Sequence, residues 1–545
     1  MKKTLLFLLL LSLFAARLWA GGIMTNSNQS AAYARLLARN ATLGIDAVYY
    51  NPAGLTKLDN GFHLSLSNQS IYQTKNVVNS YKWLHGTPDA KYTGNIKVPV
   101  YPCIYAVYKM DKLAFSFGFN PVGGGGGAKF DKGLPSFEVP ISDLVPSLAT
   151  TSGVTDYKAD INFEGSSVYF GYQFGLSYEV CKAFSVYAGV RSITARNTYK
   201  GSIMNIMINP NIPGSTYSGA FVRADQFGND RASYYTGVAT QMNGAASGLD
   251  PLISGGAGSL TAAQAASMGL ITASEKAQIE GGLTSIGQST SLTLAQAQGA
   301  FRATAQQATG GAAQMSGLAK NTADASVDVV QKGNGYTPIF GANITLDKLT
   351  LAIKYELLAK IELKNETKVD GTGKFPDGVV TRADMPALLS IGAAYPISKK
   401  LNASAGFVCY FDRGADYNCK DTLGNHVDNK TVIDKNFIEL AFGLEYTIND
   451  KLMVSAGYLR SQSGVSKSFQ SDMTYNLSSN TFGLGGHYKI TPGIGLDIGA
   501  TKIFYNSNSR EFNHLLATSY IPVNETYSKS AWMVSIGLDI KIDKK

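Results

Sequence analysis

Six short turns give this chain two unlike edges. Five of them follow a tyrosine closely: Tyr108 opens 108–112, Tyr178 opens 178–182, Tyr395 opens 395–399, Tyr446 opens 446–451 and Tyr488 opens 488–492. The sixth, 344–348, has Asn343 in the tyrosine's place. Segments of alternating polarity flank each turn, and long polar loops join their far ends. Tight turns beneath a ring of aromatics, opposite an edge of long loops, are the layout of a closed antiparallel barrel in a bacterial outer membrane.

The alternation supports that layout. Along 531–542, Trp532, Val534, Ile536, Leu538, Ile540 and Ile542 fall on one face, with Met533, Ser535, Gly537, Asp539 and Lys541 on the other, because successive strand side chains point to opposite sides. The same division recurs at 438–448 and 170–178, where glutamates and glycines sit in mid-strand on the polar face. A soluble sandwich would bury the apolar face against a second sheet. Acids in mid-strand and tyrosines at the turn-side ends favour lipid outside and a wet or filled lumen inside. The segments number about fourteen: 61–73, 98–109, 112–121, 160–180, 183–209, 326–346, 348–366, 383–396, 399–411, 436–448, 451–462, 474–489, 494–507 and 526–542. The predicted class is therefore all-β, a transmembrane antiparallel β-barrel whose tight turns face the periplasm.

Composition agrees. The 545 residues are 45% hydrophobic and 16% charged, too polar for a bundle of membrane helices. Past the N-terminus no apolar run reaches the roughly 18 residues of a spanning helix. Residues 1–20 read as a secretory signal, with Lys2 and Lys3 before an apolar run and cleavage expected after Ala20. The formal charge of +9 becomes +6 without the leader's Lys2, Lys3 and Arg17. That excess is ordinary solvated loop charge or a mild preference for anionic partners, and no basic run points to nucleic acid. Of four cysteines, Cys409 and Cys419 are spaced for a disulfide that export would allow. No spacing matches a metal site, and no cofactor motif occurs.

Three segments stand outside the strand pattern. Residues 21–60 precede the first strand on the periplasmic side, with a helix-like stretch at 30–40, and are expected to fold into the lumen as a plug, or hatch. Residues 210–325 are rich in Ala, Gly, Ser and Gln. They read either as an extracellular insertion of short helices over the barrel mouth, interrupted at Gly255-Gly256 and Gly310-Gly311, or as a mobile spacer. In the third strand, Asn120 meets Pro121, followed by Gly123 to Gly127. Proline removes a ladder donor and glycine admits unusual backbone angles, so this is either a pairing defect or the strand's outer end. Beyond it, Leu134, Phe137, Val139, Ile141 and Leu144 form either an exposed apolar lip or ordinary loop packing.

With Asn51-Pro52-Ala53 lying after a signal and before the first of about fourteen strands, the chain resembles the FadL/TodX family of outer-membrane transporters of long-chain fatty acids and hydrocarbons. The resemblance covers the full length. It implies a passive, ligand-gated transporter without catalytic residues, metal or cofactor. Its cargo would be a hydrophobic small molecule released through a lateral gap at an inward kink of the third strand. The gap falls on Asn120, Pro121, Gly123 and Gly124. The plug and its mobile tail fall on Gly21, Gly22, Asp46, Asn51, Pro52 and Ala53, and capture on the apolar lip. The partners implied are outer-membrane lipids, lipopolysaccharide and the barrel assembly machinery, with the chain a monomer. One departure is the C-terminus, which ends Ile542-Asp543-Lys544-Lys545 rather than in an aromatic residue. The rival functions are a barrel lipase, which needs a nucleophile beside one of five histidines (His63, His85, His426, His487 and His514), and a structural or adhesive surface barrel.

Overall fold

The computed structural model describes residues 25–420 and 425–542. The expected leader, its cleavage after Ala20, Gly21 and Gly22 lie outside the described residues, as do Asp543, Lys544 and Lys545. Among the described residues, 141–160 and 204–324 form one compact unit, and the N-terminal segment with the remaining strands forms another.

The strands are β1 (Gly61–Asn79), β2 (Ala90–Met110), β3 (Leu113–Phe130), β4 (Tyr157–Cys181), β5 (Phe184–Ile208), β6 (Val222–Arg223), β7 (Ala325–Leu346), β8 (Leu349–Glu356) and β9 (Glu362–Asp370). They continue as β10 (Val380–Arg382), β11 (Leu388–Pro396), β12 (Leu401–Tyr410), β13 (Phe437–Thr447), β14 (Leu452–Gln462), β15 (Ser479–Thr491), β16 (Ile494–Tyr505), β17 (Asn508–Leu516) and β18 (Ser519–Ile542). β7 carries both β8 and β9, β9 and β8 carry β10 and β11, and β18 carries both β16 and β17, so each of these pairs is one interrupted stave. With the two-residue β6 set aside, fourteen antiparallel staves remain. The β1–β18 ladder, from Phe62↔Ile542 to Asn79↔Glu525, closes the cylinder.

The two faces divide as expected. Trp532, Val534 and Ile536 are exposed while Met533 and Ser535 between them are buried. In β13, Leu440, Phe442 and Leu444 are exposed and Glu439 and Ala441 buried. The turn-side tyrosines Tyr108, Tyr178, Tyr395, Tyr446 and Tyr488 all face outward. Asn343 does not take their place: it is fully buried inside, and its outward neighbour is Ile344. Among the described residues no helix is long and apolar enough to cross a membrane.

Several strands run further than their alternation indicates. β2 begins at Ala90, β3 continues past Pro121 to Phe130, and β17 pairs with the outer end of β18. The outward face of this part of β2 is Lys91, Thr93, Asn95 and Lys97, with Tyr92 and Ile96 buried. The polarity is inverted because these residues stand beyond the lipid band, facing water outside and packing inside.

The insertion is helical: α5 (Ala224–Gly248), α6 (Asp250–Ser254), α7 (Ala262–Ser267), α8 (Ala273–Ser285) and α9 (Leu294–Asn321) follow α1 (Ala31–Arg35), α2 (Ala47–Tyr50), α3 (Pro135–Ser142) and α4 (Leu144–Ser152). The expectation of short helices is corrected at α5 and α9, which pack antiparallel: Gln298 donates to the Ala246 carbonyl at 3.0 Å, and a Cβ at Gly228 would lie 2.8 Å from the Met315 carbonyl oxygen. Gly310-Gly311 does not interrupt α9, since Gly311 sits against the ring of Tyr235. Thr261, Thr272 and Thr293 cap α7, α8 and α9 with reciprocal bonds to Gln264, Glu275 and Gln296. The Thr272 N–H and hydroxyl hold the Glu275 carboxyl below its ordinary range. The helix expected at 30–40 covers only Ala31–Arg35, after which Leu36 is extended. Cys409 and Cys419 are free thiols, and Cys419 Sγ donates to Asn429 Oδ1 instead.

A lipid-facing surface makes a direct prediction. Phe442→Lys puts a charge at the middle of an outward face and should cost about 2–4 kcal/mol in reversible unfolding from phospholipid vesicles. An unchanged stability would mean that this face does not meet lipid.

Candidate functional site

The wall is interrupted between β2 and β3. Their ladder runs from Met110↔Leu113 to Ile104↔Phe119, then resumes only at Ile96↔Ala128. Among the described residues no ladder pair joins 97–103 of β2 to 120–127 of β3, a contour of about 25 Å at ~3.3 Å per residue. The local sequence explains the break. Pro99 and Pro102 in β2 and Pro121 in β3 have no N–H to donate. Gly124 and Gly126 adopt φ of 86° and 79°, open to glycine but strained for other residues. A Cβ at Gly124 would lie 2.2 Å from the Ser167 carbonyl oxygen of β4. β3 stays attached to β4 through two register shifts flanking Gly123. Asn120, Pro121, Gly123 and Gly124 thus lie together at the interruption. Sequence reading missed the facing pair Pro99 and Pro102; two prolines in one strand interior are the signal of an unpaired edge.

The N-terminal segment supplies β3 with partners. Thr25 forms a β-bridge with Gly123, and the Asn26 N–H donates to the Val122 carbonyl at 2.9 Å. Asn26 Nδ2 donates to the Gly124 carbonyl at 2.7 Å, and Gln29 Nε2 to the Pro121 carbonyl at 2.9 Å. Asn120 Nδ2 donates to Gln29 Oε1 at 2.6 Å. From β2, the Tyr101 hydroxyl also donates to the Pro121 carbonyl.

The rest of the segment lies against the inward faces of the staves all round. Gln69 of β1 and Tyr105 of β2 bond its backbone, as do Gln173 and Ser177 of β4 and Ser185 of β5. Asn51 Nδ2 donates to Asn343 Oδ1 of β7 at 2.9 Å and to the Thr42 carbonyl at 3.0 Å. Pro52 and Ala53 present their carbonyls to Ser177 and Ser185. Asn40 Nδ2 donates to Ser390 of β11 at 2.8 Å, and its side chain fills the space where a Cβ at Gly406 of β12 would stand. Arg35 reaches Glu445 of β13 at 2.7 Å, Ser455 of β14 at 3.1 Å and Asp497 of β16 at 2.6 Å. Asp46 acts within the segment, accepting from Arg39 and Ser30. A second charged group sits under Tyr49, whose ring lies 5.0 Å from the Arg191 guanidinium and 4.4 Å from Lys354 Nζ, both paired to Glu356.

Outward of the segment is a chamber of about 440 Å³. Its wall includes Val98, Tyr101, Gly124 and Gly126 from the interrupted ladder, with Thr25 to Asn28 at its floor and Ile71, Phe130, Phe163 and Met533 among its apolar lining. Leu134 belongs to this wall and packs on Phe130 and Phe163. The exposed lip is therefore corrected: Leu134 and Ile141 are buried, and Phe137, Val139 and Leu144 are half-buried, because the stretch folds into α3 and α4 and turns its apolar side chains inward. Phe137 meets Phe163 edge-on at 5.3 Å. Of the histidines, His63 bonds the Asp59 carbonyl and His487 pairs with Asp497.

No protein-family model and no curated protein matches the chain. Solved structures do. A Pseudomonas aeruginosa FadL homologue superposes with a TM-score of 0.57 at 13% identity, covering 96% of this chain and 100% of its own. The Pseudomonas putida toluene transporter TodX gives 0.51 at 12% identity, with 96% and 100% covered. At such identities the likeness is one of fold: this chain has the barrel architecture of FadL and TodX over nearly its whole length.

The hold on the segment can be measured. Arg35→Met removes the 2.7 Å bond to Glu445 and the 2.6 Å bond to Asp497 and should lower barrel stability by about 3–5 kcal/mol, with protease cleavage appearing within 25–58. Unchanged stability and protection would mean that Arg35 does not hold the segment.

Proposed function

We propose that this chain is an outer-membrane transporter that takes up hydrophobic molecules by passive, ligand-gated diffusion. Cargo enters the chamber and leaves sideways between β2 and β3, with residues 25–58 acting as the plug. The observation that carries this reading is that the chamber and the interrupted ladder share residues: Val98, Tyr101, Gly124 and Gly126 belong to both. The chamber therefore adjoins the stretch of the β2–β3 edge that, among the described residues, no ladder pair closes. That one fold neighbour is a toluene transporter supports the same reading.

Partition supplies the driving force. Each buried CH₂ is worth roughly 0.8 kcal/mol, so a dozen would hold a chain by on the order of 10 kcal/mol before ordering costs. Release then requires the chamber to change. The contacts of Asn26 and Gln29 with β3 are the ones that must break for cargo to pass. Sideways exit keeps the chain out of water throughout.

The exit can be stapled. A Cβ built at Gly126 lies 3.8 Å from Val98 Cβ, the spacing of a disulfide. In a background without the native cysteines, V98C/G126C should take up labelled oleate or toluene when reduced and lose uptake at least tenfold when oxidised. Equal uptake in both states would rule out passage between β2 and β3. No uptake of either compound by the wild type, compared with cells lacking the gene, would rule out transport of those compounds.

A further inference from the structure

The outward face of the barrel changes character at a definable height. On β18 that face is apolar from Ile542 to Trp532 and polar from Ser530 to Asn524. The strand from Ile542 to Trp532 rises ~3.3 Å per residue, which at a tilt of ~40° to the barrel axis makes about 25 Å, the height of the apolar band of an outer-membrane barrel. The band starts at the tight-turn edge, so Trp532 marks its other border, on the side of the long loops. There the Trp532 ring stacks on Tyr72 of β1, with centroids 4.3 Å apart and planes 13° from parallel.

A lysine flanks the ring pair on each side. Lys502 of β16 stands directly opposite Trp532 in the ladder, Trp532 opposite Tyr72, and Tyr72 opposite Lys97 of β2. The four side chains form one outward row across four staves. Lys97 is exposed, and Lys502 is half-buried with its Nζ donating to Ser530 Oγ at 3.2 Å. No acid stands among them: the outward positions of β1, β16 and β18, and of β2 from Lys91 to Lys97, hold neither Asp nor Glu. Lys129, outward on β3 opposite Asn95, by contrast pairs with Asp131 at 2.9 Å. Two lysines without a neighbouring carboxylate therefore stand where the hydrocarbon ends, a depth at which a lysine on the lipid face costs little and where lipid phosphates begin.

We propose that Lys97, Tyr72, Trp532 and Lys502 form an outer-wall site for a saccharolipid with two phosphates, of the lipopolysaccharide type. The backbones of the two lysines are three strand spacings apart, about 14 Å at ~4.8 Å each, with the rings between them. A headgroup with a phosphate at either end meets both ammoniums in charge-assisted bonds, whereas a lipid with one phosphate meets one. Lysine, a compact charge on a flexible stem, reaches either phosphate from the wall. The acyl chains then lie along Val534 and Ile536, both exposed on the band side of the rings. The inference depends on the membrane placement of the barrel and is independent of the transport reading.

The full chain, purified in non-ionic detergent, is titrated with bisphosphoryl lipid A, monophosphoryl lipid A and phosphatidylglycerol, and bound lipid is followed by native mass spectrometry. The wild type should bind the bisphosphoryl form at least tenfold more tightly than phosphatidylglycerol, with the monophosphoryl form between them. K97M/K502M should lose that preference and K97R/K502R should keep it. K91M/K129M, which removes as much charge elsewhere on the same wall, should keep it too, and heat-modifiable gel migration reports that each variant is folded. No preference in the wild type, or a preference that survives in K97M/K502M, overturns the site. An equal loss in K91M/K129M overturns it in favour of general surface charge, and monophosphoryl lipid A binding as tightly as the bisphosphoryl form overturns the two-phosphate bridge.

Discussion

Backbone N–H and C=O groups cannot face lipid unpaired, because no solvent in the hydrocarbon can take them up. The wall between β2 and β3 meets this constraint in an unusual way. Prolines stand on both strands of the break, and the carbonyls of Pro121, Val122 and Gly124 turn inward to the donors of Asn26 and Gln29. The weak place in the wall and the segment inside the barrel are therefore one device. Neither can move without exposing polar backbone that the other satisfies.

The interior charges set where that device sits. Arg35 bridges three staves, and the group of Arg191, Lys354 and Glu356 grips Tyr49 from the opposite side of the segment. Buried ion pairs add little net stability, because desolvation offsets attraction, but losing one partner is costly. Their effect is to fix position: one arrangement of the segment satisfies every charge, and displaced ones leave carboxylates bare. Small residues complete the fit. Gly443, Gly457, Gly483 and Gly499 lie where a Cβ would meet 34–37 of the segment, so the mid-strand glycines of the polar faces make room for it.

What could be read from the sequence follows the same physics. The staves were legible where lipid and lumen impose opposite demands on adjacent residues, as at Trp532 and Met533 or Phe442 and Gly443. Their outer ends were not, because beyond the lipid Lys91 to Lys97 face water outward and reverse the pattern. The break in β3 was legible as Pro121 followed by glycines, since the backbone chemistry is local. Its other wall, Pro99 and Pro102, was passed over within a segment that otherwise alternates. Pairings such as Arg35 with Asp497 join residues 462 apart in sequence, and only closure of the barrel brings them together. The apolar stretch from Leu134 to Leu144 shows the limit of composition: the same residues suit an exposed lip or an inward-packed helix, and only their neighbours decide.

The route of the cargo is the claim most open to direct measurement. A fatty acid carrying a diazirine near its methyl end can be loaded into cells expressing the protein, irradiated during uptake, and its adducts mapped by mass spectrometry. The account predicts adducts on Val98, Val100, Tyr101 and the glycines at 123–127, on both the chamber side and the lipid side of the break. Adducts running instead through Ile45, Leu58 and the 492–495 turn region, at the tight-turn end of the lumen, would show passage straight down the barrel and contradict it.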